Sequence, residues 1–500
     1  MIRLDVPRVS LPYRLPLLAW AMLVAIVVGL LIARLPIISA ATVLAPLLLI
    51  LIYIEPLTGV ALMLLAAPWG ALESVALGGG LLDSGQLLFL LTFTVWLARG
   101  AARRQISIPI TAISLPLLVF IVVAAATLGD ATSLASGLAE VIKWLEVGLV
   151  AMIVIDRTAM LEYRPAYSFS RFLSEGGGWR ILLFIILAAA ASQALIGIWQ
   201  FGLRNSGPEH FQIAGGRFFR AYGTFEQPNP FGGFMAWMAA LGIGATTGEI
   251  MRWIKSRSID RNQLVWLVML VAITVVLALA LLFSWSRGAW LGFIFGTAIF
   301  LLFWPRNRAG GAILLCSALF VTVVLWQSEV LPPLAVERVA GFTEDLRFGD
   351  VRGVDINDSN YSVLERLAHW QAALDMARYN LWTGVGFGNY EAAYAAYALI
   401  NWPDALGHAH NYYLNILSET GVPGLLAYIL LWTVVFWQTL VVIRQSNWPR
   451  RGAALGLLSA WVALSVHHLL DKLYVNNLYL YLGAMLGVLQ VLYARSSNKV

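Results

Sequence analysis

Charge is what this chain has least of. Only 12% of its 500 residues are Asp, Glu, Lys or Arg, against 60% apolar, and the mean hydropathy is +0.77. Soluble domains carry about 25% charged and about half apolar residues, so a water-soluble or disordered chain is excluded and a polytopic membrane protein is indicated. Cysteine is almost absent. Cys316 stands alone in the apolar run 311–327, which rules out an intrachain disulfide and leaves a thiolate catalyst without a polar setting. No repeat of fixed period is present, and no matched pair of interrupted spans of the kind that builds secondary transporters. A dinucleotide fingerprint is missing too. Gly384-Val385-Gly386-Phe387-Gly388 has the wrong final spacing and no strand before it, and reads as a turn holding two helices at an angle.

What the chain has in abundance is apolar runs. A spanning helix needs about 20 apolar residues, fewer where neighbours compensate. Candidates occupy 15–33, 37–54, 56–70, 84–98, 110–127, 138–156, 180–202, 229–248, 263–283, 288–304, 311–327, 422–443, 453–470 and 474–493. The stretch 37–70 is interrupted by Glu55-Pro56, so the predicted architecture is an all-α polytopic membrane helix bundle of about 12–14 transmembrane helices. The run 15–33 is longer than a signal-peptide core and reads as an uncleaved first span.

Basic residues fall on alternate loops. One set of segments holds Arg3, Arg8 and Arg14, then Arg99, Arg103 and Arg104, then Arg157, Arg164 and Arg171, and later Arg252, Lys255, Arg257, Arg306 and Arg451. The loops around 71–83 and 128–137 have no Lys or Arg. The positive-inside rule then puts both termini in the cytoplasm of an inner-membrane protein. It also accounts for the +6 net charge without nucleic acid as a partner. The chain divides into bundle segments 1–327 and 412–500, separated by a large extracytoplasmic loop, 328–411, with eleven acids against five arginines. In that loop, Ser362-Val363-Leu364-Glu365 reads as a capping box. Val363, Leu367, Trp370, Leu374, Ala377 and Leu381 then recur at amphipathic helical spacing, while 343–360 reads as loop.

Three outer segments carry candidate chemistry. Arg217 and Arg220 precede Tyr222-Gly223-Thr224-Phe225 and Pro228-Asn229, and Arg287 sits in the short turn Ser284-Trp285-Ser286-Arg287-Gly288. Arginines at a membrane boundary hold lipid headgroups, or pair as a clamp for a diphosphate, which their planar fork suits. Arg287 has too short a turn to leave the boundary, where a charge is costly unless used or paired. The third segment begins at His408 and His410. They have no third ligand nearby in sequence, so the metal reading is weak and no cofactor is expected. Asn411 fits an N-cap, and Asn411, Asn415 and Glu419 share one face of a helix that Gly421 ends and Pro423 restarts. That places His410 at the mouth of a polar groove, suited to take a proton from a sugar hydroxyl. His467, His468, Asp471 and Lys472 read as helix-end residues, and Glu140, Lys143 and Glu146 as a structural i, i+3 ion pair.

Taken in order, these pieces resemble the O-antigen ligase and polymerase family of bacterial membrane glycosyltransferases. The resemblance rests on Arg220-Ala221-Tyr222-Gly223-Thr224-Phe225 with Pro228-Asn229, on Ser286-Arg287-Gly288, and on Glu365-Arg366 with Trp370. It continues through Gly384, Gly386, Gly388, Asn389 and Tyr390 to His410-Asn411, Leu414, Glu419, Gly421 and Gly424, covering about residues 180–470. It implies metal-independent transfer of a glycan from an undecaprenyl-diphosphate carrier to a glycan, lipid or protein acceptor hydroxyl on the extracytoplasmic face. By position, Arg220 and Arg287 would bind the donor diphosphate and His410 would activate the acceptor. Arg217, Asn229, Arg366, His408, Asn411 and Glu419 would contact substrate. Direct attack at the anomeric carbon predicts inversion. A ligase is favoured over a polymerase or a protein-glycosylating enzyme. The rival from another class is a transporter or flippase, which predicts ionisable residues near the midplane of several spans. A non-catalytic assembly subunit that uses 328–411 to bind partners is the other.

Overall fold

The computed structural model describes residues 2–4, 36–77, 82–161, 178–204, 206–213, 215–330, 336, 338, 350–357 and 360–497. The expected span 15–33 lies outside them, as do residues 343–349 and 358–359 of the expected loop. From residue 36 onward, each expected span coincides with a helix. In the first half these are Pro36–Ile54 (α1), Pro56–Ala66 (α2), Gly70–Leu77 (α3), Ser84–Ala102 (α4), Ser114–Ala126 (α5), Leu134–Leu161 (α6) and Trp179–Gly202 (α7). Pro228–Ser256 (α8), Arg261–Phe283 (α9), Arg287–Phe303 (α10) and Arg308–Gln327 (α11) follow. Beyond the large loop, with its helices Tyr361–Tyr379 (α12) and Tyr390–Tyr394 (α13), come Tyr412–Gln445 (α14), Arg450–His467 (α15) and Leu478–Ser497 (α16).

Among the described residues, seven helices are long and apolar enough to cross a membrane, with three shorter apolar helices beside them. The protein is an all-α polytopic membrane protein. Helices α6, α8 and α15 fall outside the seven. Most of α15 and most of the first two thirds of α8 are buried against protein, and a helix wrapped by other helices need not be apolar toward lipid. Between these two, Gly244 and Gly248 of α8 face Gly452 and Gly456 of α15 so closely that a Cβ on any of them would overlap the other backbone. In a bilayer, where no hydrophobic gain drives helices together, such close approach supplies the packing.

The two ends of the bundle differ. At the end holding the basic loops, charged side chains tie helices together. Arg157 forks onto Glu55 with both contacts at 3.2 Å, and Glu249 takes Arg180 at 3.0 Å and Arg252 at 2.6 Å. Arg451 donates to the carbonyls of Phe303 and Trp304 that end α10. At the other end, uncharged hydrogen bonds also join segments: Thr224 Oγ1 donates to Pro68 O, and Phe387 N to Thr127 Oγ1. The N-terminal strand Ile2–Leu4 (β1) pairs antiparallel with Ile106–Ile108 (β2), which places the start of the chain at the basic end.

Helix α14 is 34 residues long, about 50 Å at 1.5 Å per residue and more than a bilayer needs. Gly421, at φ 63° and ψ −168°, breaks it into a short outer piece and a span, as the Gly421 and Pro423 signals predict. The Gly384, Gly386 and Gly388 turn also forms, with φ of 63°, 96° and 72°. A Cβ at Gly384 would overlap the backbone of Glu419, so this turn requires glycine for conformation and for space.

Two expectations for α12 are corrected. The helix begins at Tyr361 with Asn360 as its N-cap, and no side-chain capping bond is made, so Ser362 and Glu365 do not form a capping box. Asn357 and Asn360 instead exchange side-chain to backbone hydrogen bonds before the first turn. The buried stripe keeps Val363, Leu367 and Ala377 as expected but is broader than the predicted one and shifted toward small residues. Ala368, Ala372, Ala373 and Met376 are buried while Leu374 and Leu381 are exposed, because small side chains let the helix sit close to its neighbours and a count of large apolar residues misses them.

Candidate active site

Four arginines from separate segments line one cavity of ≈ 120 Å³. Arg220 precedes α8, Arg287 opens α10, Arg338 lies between α11 and α12, and Arg366 is on α12. The turn between α9 and α10 organises them. Trp285, at φ 50°, bends the chain there. The carbonyl of Ser284 accepts from Arg220 Nε at 2.9 Å and that of Trp285 from Arg338 Nη2 at 3.2 Å. Asn229 Oδ1 accepts from Arg220 Nη2 at 3.1 Å, and Arg366 Nη1 donates to Ser362 O at 2.7 Å. Every one of these acceptors is uncharged. The single carboxylate among the lining residues is Asp471.

Cations so placed repel one another. Burial first, then the Arg338, Arg287 and Arg366 charges, lowers Arg220 to about 9. Burial, then Arg287 and Arg366, lowers Arg338 to about 10. Both remain protonated at neutral pH, and an anion of two or more charges is the natural complement to such a cavity.

The histidine segment meets the cavity through Asp471, on the loop after α15. Asp471 Oδ1 lies 3.4 Å from His410 Nδ1 and 3.5 Å from His408 Nε2. His408 Nδ1 accepts the backbone N–H of His410 at 3.1 Å, which leaves the proton of a neutral His408 on Nε2, facing Asp471. Burial, the largest effect, pushes His408 down to about 3 despite that carboxylate. Burial would raise the Asp471 carboxyl, yet contact with His410 and His408 holds it well below the usual range. It is therefore an anion facing imidazoles.

His410 itself sits at φ 49°, in the left-handed region that a non-glycine residue enters only when its surroundings compel it. The compulsion is visible. Asn415 Oδ1 accepts from Ala409 N at 3.1 Å, and the indole of Trp370 donates to His410 O at 3.3 Å. Tyr412 N donates to His468 O at 2.7 Å. The buried His369 ring packs edge-on 5.5 Å from that of His410, with Nδ1 2.9 Å from the Tyr390 hydroxyl.

Of the residues singled out from sequence, Arg220, Arg287, Arg366 and Asn229 share the cavity wall, and His408 and His410 flank it through Asp471. Three have other places. Arg217 is exposed and lies over the Phe218 ring, 5.4 Å from its centroid. Asn411 caps α14, its Oδ1 accepting from Tyr413 N and Leu414 N. Glu419 is buried and accepts from Tyr390 N at 3.1 Å, supporting the glycine turn and not the cavity wall. Its spacing from Asn415 was legible, but that face meets backbone.

Sequence reasoning missed Arg338, His369, His467 and Asp471. His467 and Asp471 looked like helix-end residues, and only the tertiary fold brings them to the cavity. Asp471 also overturns the expectation that the two histidines have no third ligand nearby. One donor atom from each of His408, His410 and Asp471 lies within 4.8 Å of the others. Next to it, Lys472 pairs with Glu140 at 3.1 Å, and Lys143 meets the same carboxylate at 2.7 Å. The i, i+3 pair is therefore part of a wider interhelical contact.

Fold and cavity define a polytopic membrane protein with a strongly cationic site at the end of the bundle opposite its basic loops. Residues 272–429 match the family model described as O-Antigen ligase. This bears out the resemblance read from the motifs and makes that stretch similar to the O-antigen ligase family. The matched stretch includes Arg287, Arg338, Arg366, His408 and His410, whereas Arg220 and Asp471 lie outside it. No curated protein matches the chain.

Proposed function

We propose that the protein transfers a glycan from an undecaprenyl-diphosphate carrier to an acceptor hydroxyl on the extracytoplasmic face of the inner membrane, as an O-antigen ligase does. The observation that carries this reading is the convergence of Arg220, Arg287, Arg338 and Arg366 on one cavity whose lip holds Asp471 and, against it, His410. The guanidiniums hold the donor diphosphate. His410 takes the proton of the acceptor hydroxyl as its oxygen attacks the anomeric carbon. The bond from that carbon to the diphosphate oxygen breaks, and the charge that grows on the leaving diphosphate is met by arginines already in place. Attack opposite the leaving group inverts the anomeric carbon. Asp471 orients the imidazole and stabilises its protonated form. With four guanidiniums and Lys472 in the neighbourhood, the field opposes a bound cation, so His408 and His410 are assigned to proton transfer and not to a metal.

The test is reconstitution of the purified protein with a lipid-diphosphate glycan and a panel of glycan, lipid and protein acceptors, in the presence of EDTA. Wild type should transfer. Arg287→Lys should lose about 10²-fold in rate, since a point charge does not replace a planar fork, and His410→Ala should lose about 10²- to 10⁴-fold while still inserting. Wild-type rates from either variant would overturn its assigned role. Activity lost in EDTA and restored by zinc would instead assign His408, His410 and Asp471 to a metal. The acceptor that works separates ligase from polymerase and protein-glycosylating readings.

A further inference from the structure

Two further hollows open on the large loop, and they differ in character from the cationic cavity. One, of ≈ 430 Å³, is lined by Trp370, Gln371, Asp375 and Arg378 of α12 together with Asp350 and Arg352. The second, of ≈ 610 Å³, is lined among others by Tyr379, Tyr397 and Asn401. Both include Arg352 and Asp375, so they adjoin, and together they make up one cleft wall along the loop. Each is within the range of about 300–1,000 Å³ typical of small-molecule sites.

We infer that this cleft binds the saccharide part of a substrate, a reading that rests on the proposed glycan transfer. Sugars present apolar C–H faces, which lie on aromatic rings, and rims of hydroxyls, which pair with planar side chains that both donate and accept. The cleft supplies both. Tyr379 and Tyr397 stand with ring centroids 6.2 Å apart, Tyr379 being 79% exposed. Its charges cancel, with Asp375 3.2 Å from Arg378 and Asp350 3.7 Å from Arg352. A neutral, hydroxyl-rich ligand fits this wall, as a diphosphate fits the other.

One helix joins the two. Ser362 and Arg366 of α12 line the cationic cavity, and Trp370, Asp375 and Arg378 line the cleft. From Arg366 to Arg378 the helix advances about 18 Å. Trp370 stands between them and donates to His410 O at 3.3 Å. A glycan whose reacting end lies at His410 is thus led along α12 into the cleft. The donor's glycan and a glycan acceptor both present this chemistry.

The experiment uses full-length protein in lipid nanodiscs. Binding of free trisaccharides of glucose, galactose, mannose and N-acetylglucosamine, and separately of inorganic pyrophosphate, is measured by ligand-observed NMR. At least one trisaccharide should bind wild type and bind at least tenfold more weakly to Tyr379→Ala and Arg378→Ala. Both side chains are largely exposed, so their truncation leaves the fold intact. Pyrophosphate binding should be unchanged in these variants and lost in Arg287→Ala. No trisaccharide binding to wild type, or equal binding to the variants, overturns the inference. Saccharide binding without pyrophosphate binding would instead overturn the diphosphate reading and leave the cleft standing. In the transfer assay, a raised KM for the lipid-linked donor assigns the cleft to the donor glycan and a raised KM for the acceptor assigns it to the acceptor.

Discussion

His369 is the residue through which acid should weaken the loop. It is buried in α12 against Tyr390 and Tyr394, and burial, then the nearby His410, lowers it from the ordinary 6.5 to about 4. In the unfolded chain it takes a proton near pH 6.5, and in the folded protein only near pH 4. Stability is therefore whole above pH 6.5 and is lost as pH falls through that window, by about 3 kcal/mol at most from this group. His408, lowered to about 3, acts in the same direction. The expected result is a melting temperature that declines from pH 6.5 to 4 in wild type and declines less in His369→Gln. Identical profiles would remove His369 from this role. The sequence made Arg220, Arg287 and His410 legible because each sits in a short motif at a span boundary. Asp471 and His369 were not legible, since neither has a local pattern and each acquires its meaning from a neighbour distant in sequence.

At the scale of elements, helix placement was legible because apolar length alone fixes a span. The pairing of spans was less so. Its signal was present as Gly-x3-Gly at 244–248 and again at 452–456, the spacing that puts two glycines on one helix face. These two faces meet in the structure, and they set where α15 lies. Because α15 ends at His467 and leads to Asp471, its seating on α8 also sets the site. Gly452→Leu forces a side chain into the backbone of α8, an overpacking that costs about 1–3 kcal/mol or more. Melting temperature and transfer activity should fall together in that variant. Gly129→Ala, where a Cβ meets open space, should change neither. A fully active Gly452→Leu protein would show that the close approach is dispensable. The start of α12 was misread for a related reason: a Ser-x2-Glu pattern signals a cap only if the chain turns there, and the Asn357–Asn360 pair turns it earlier.

The whole molecule separates two kinds of charge. Arg157, Arg180 and Arg451 hold helix ends together at one end of the bundle, whereas Arg220, Arg287, Arg338 and Arg366 at the other are aimed at a cavity. The first group is what the positive-inside rule keeps in the cytoplasm. Under the proposed function the second group faces outward, on the side where the proposed lipid-linked donor would be met. Orientation is thus a condition of the proposed chemistry, and the single native cysteine makes it measurable. In a Cys316→Ser background, Asp404→Cys lies on the exposed large loop and Ser258→Cys on the exposed turn between α8 and α9. A membrane-impermeant maleimide applied to intact inner-membrane spheroplasts should label Asp404→Cys and spare Ser258→Cys until the membrane is opened. The reverse pattern would put the arginine cavity in the cytoplasm, where the proposed donor and acceptor would have to be abandoned even though every distance in the site stayed the same.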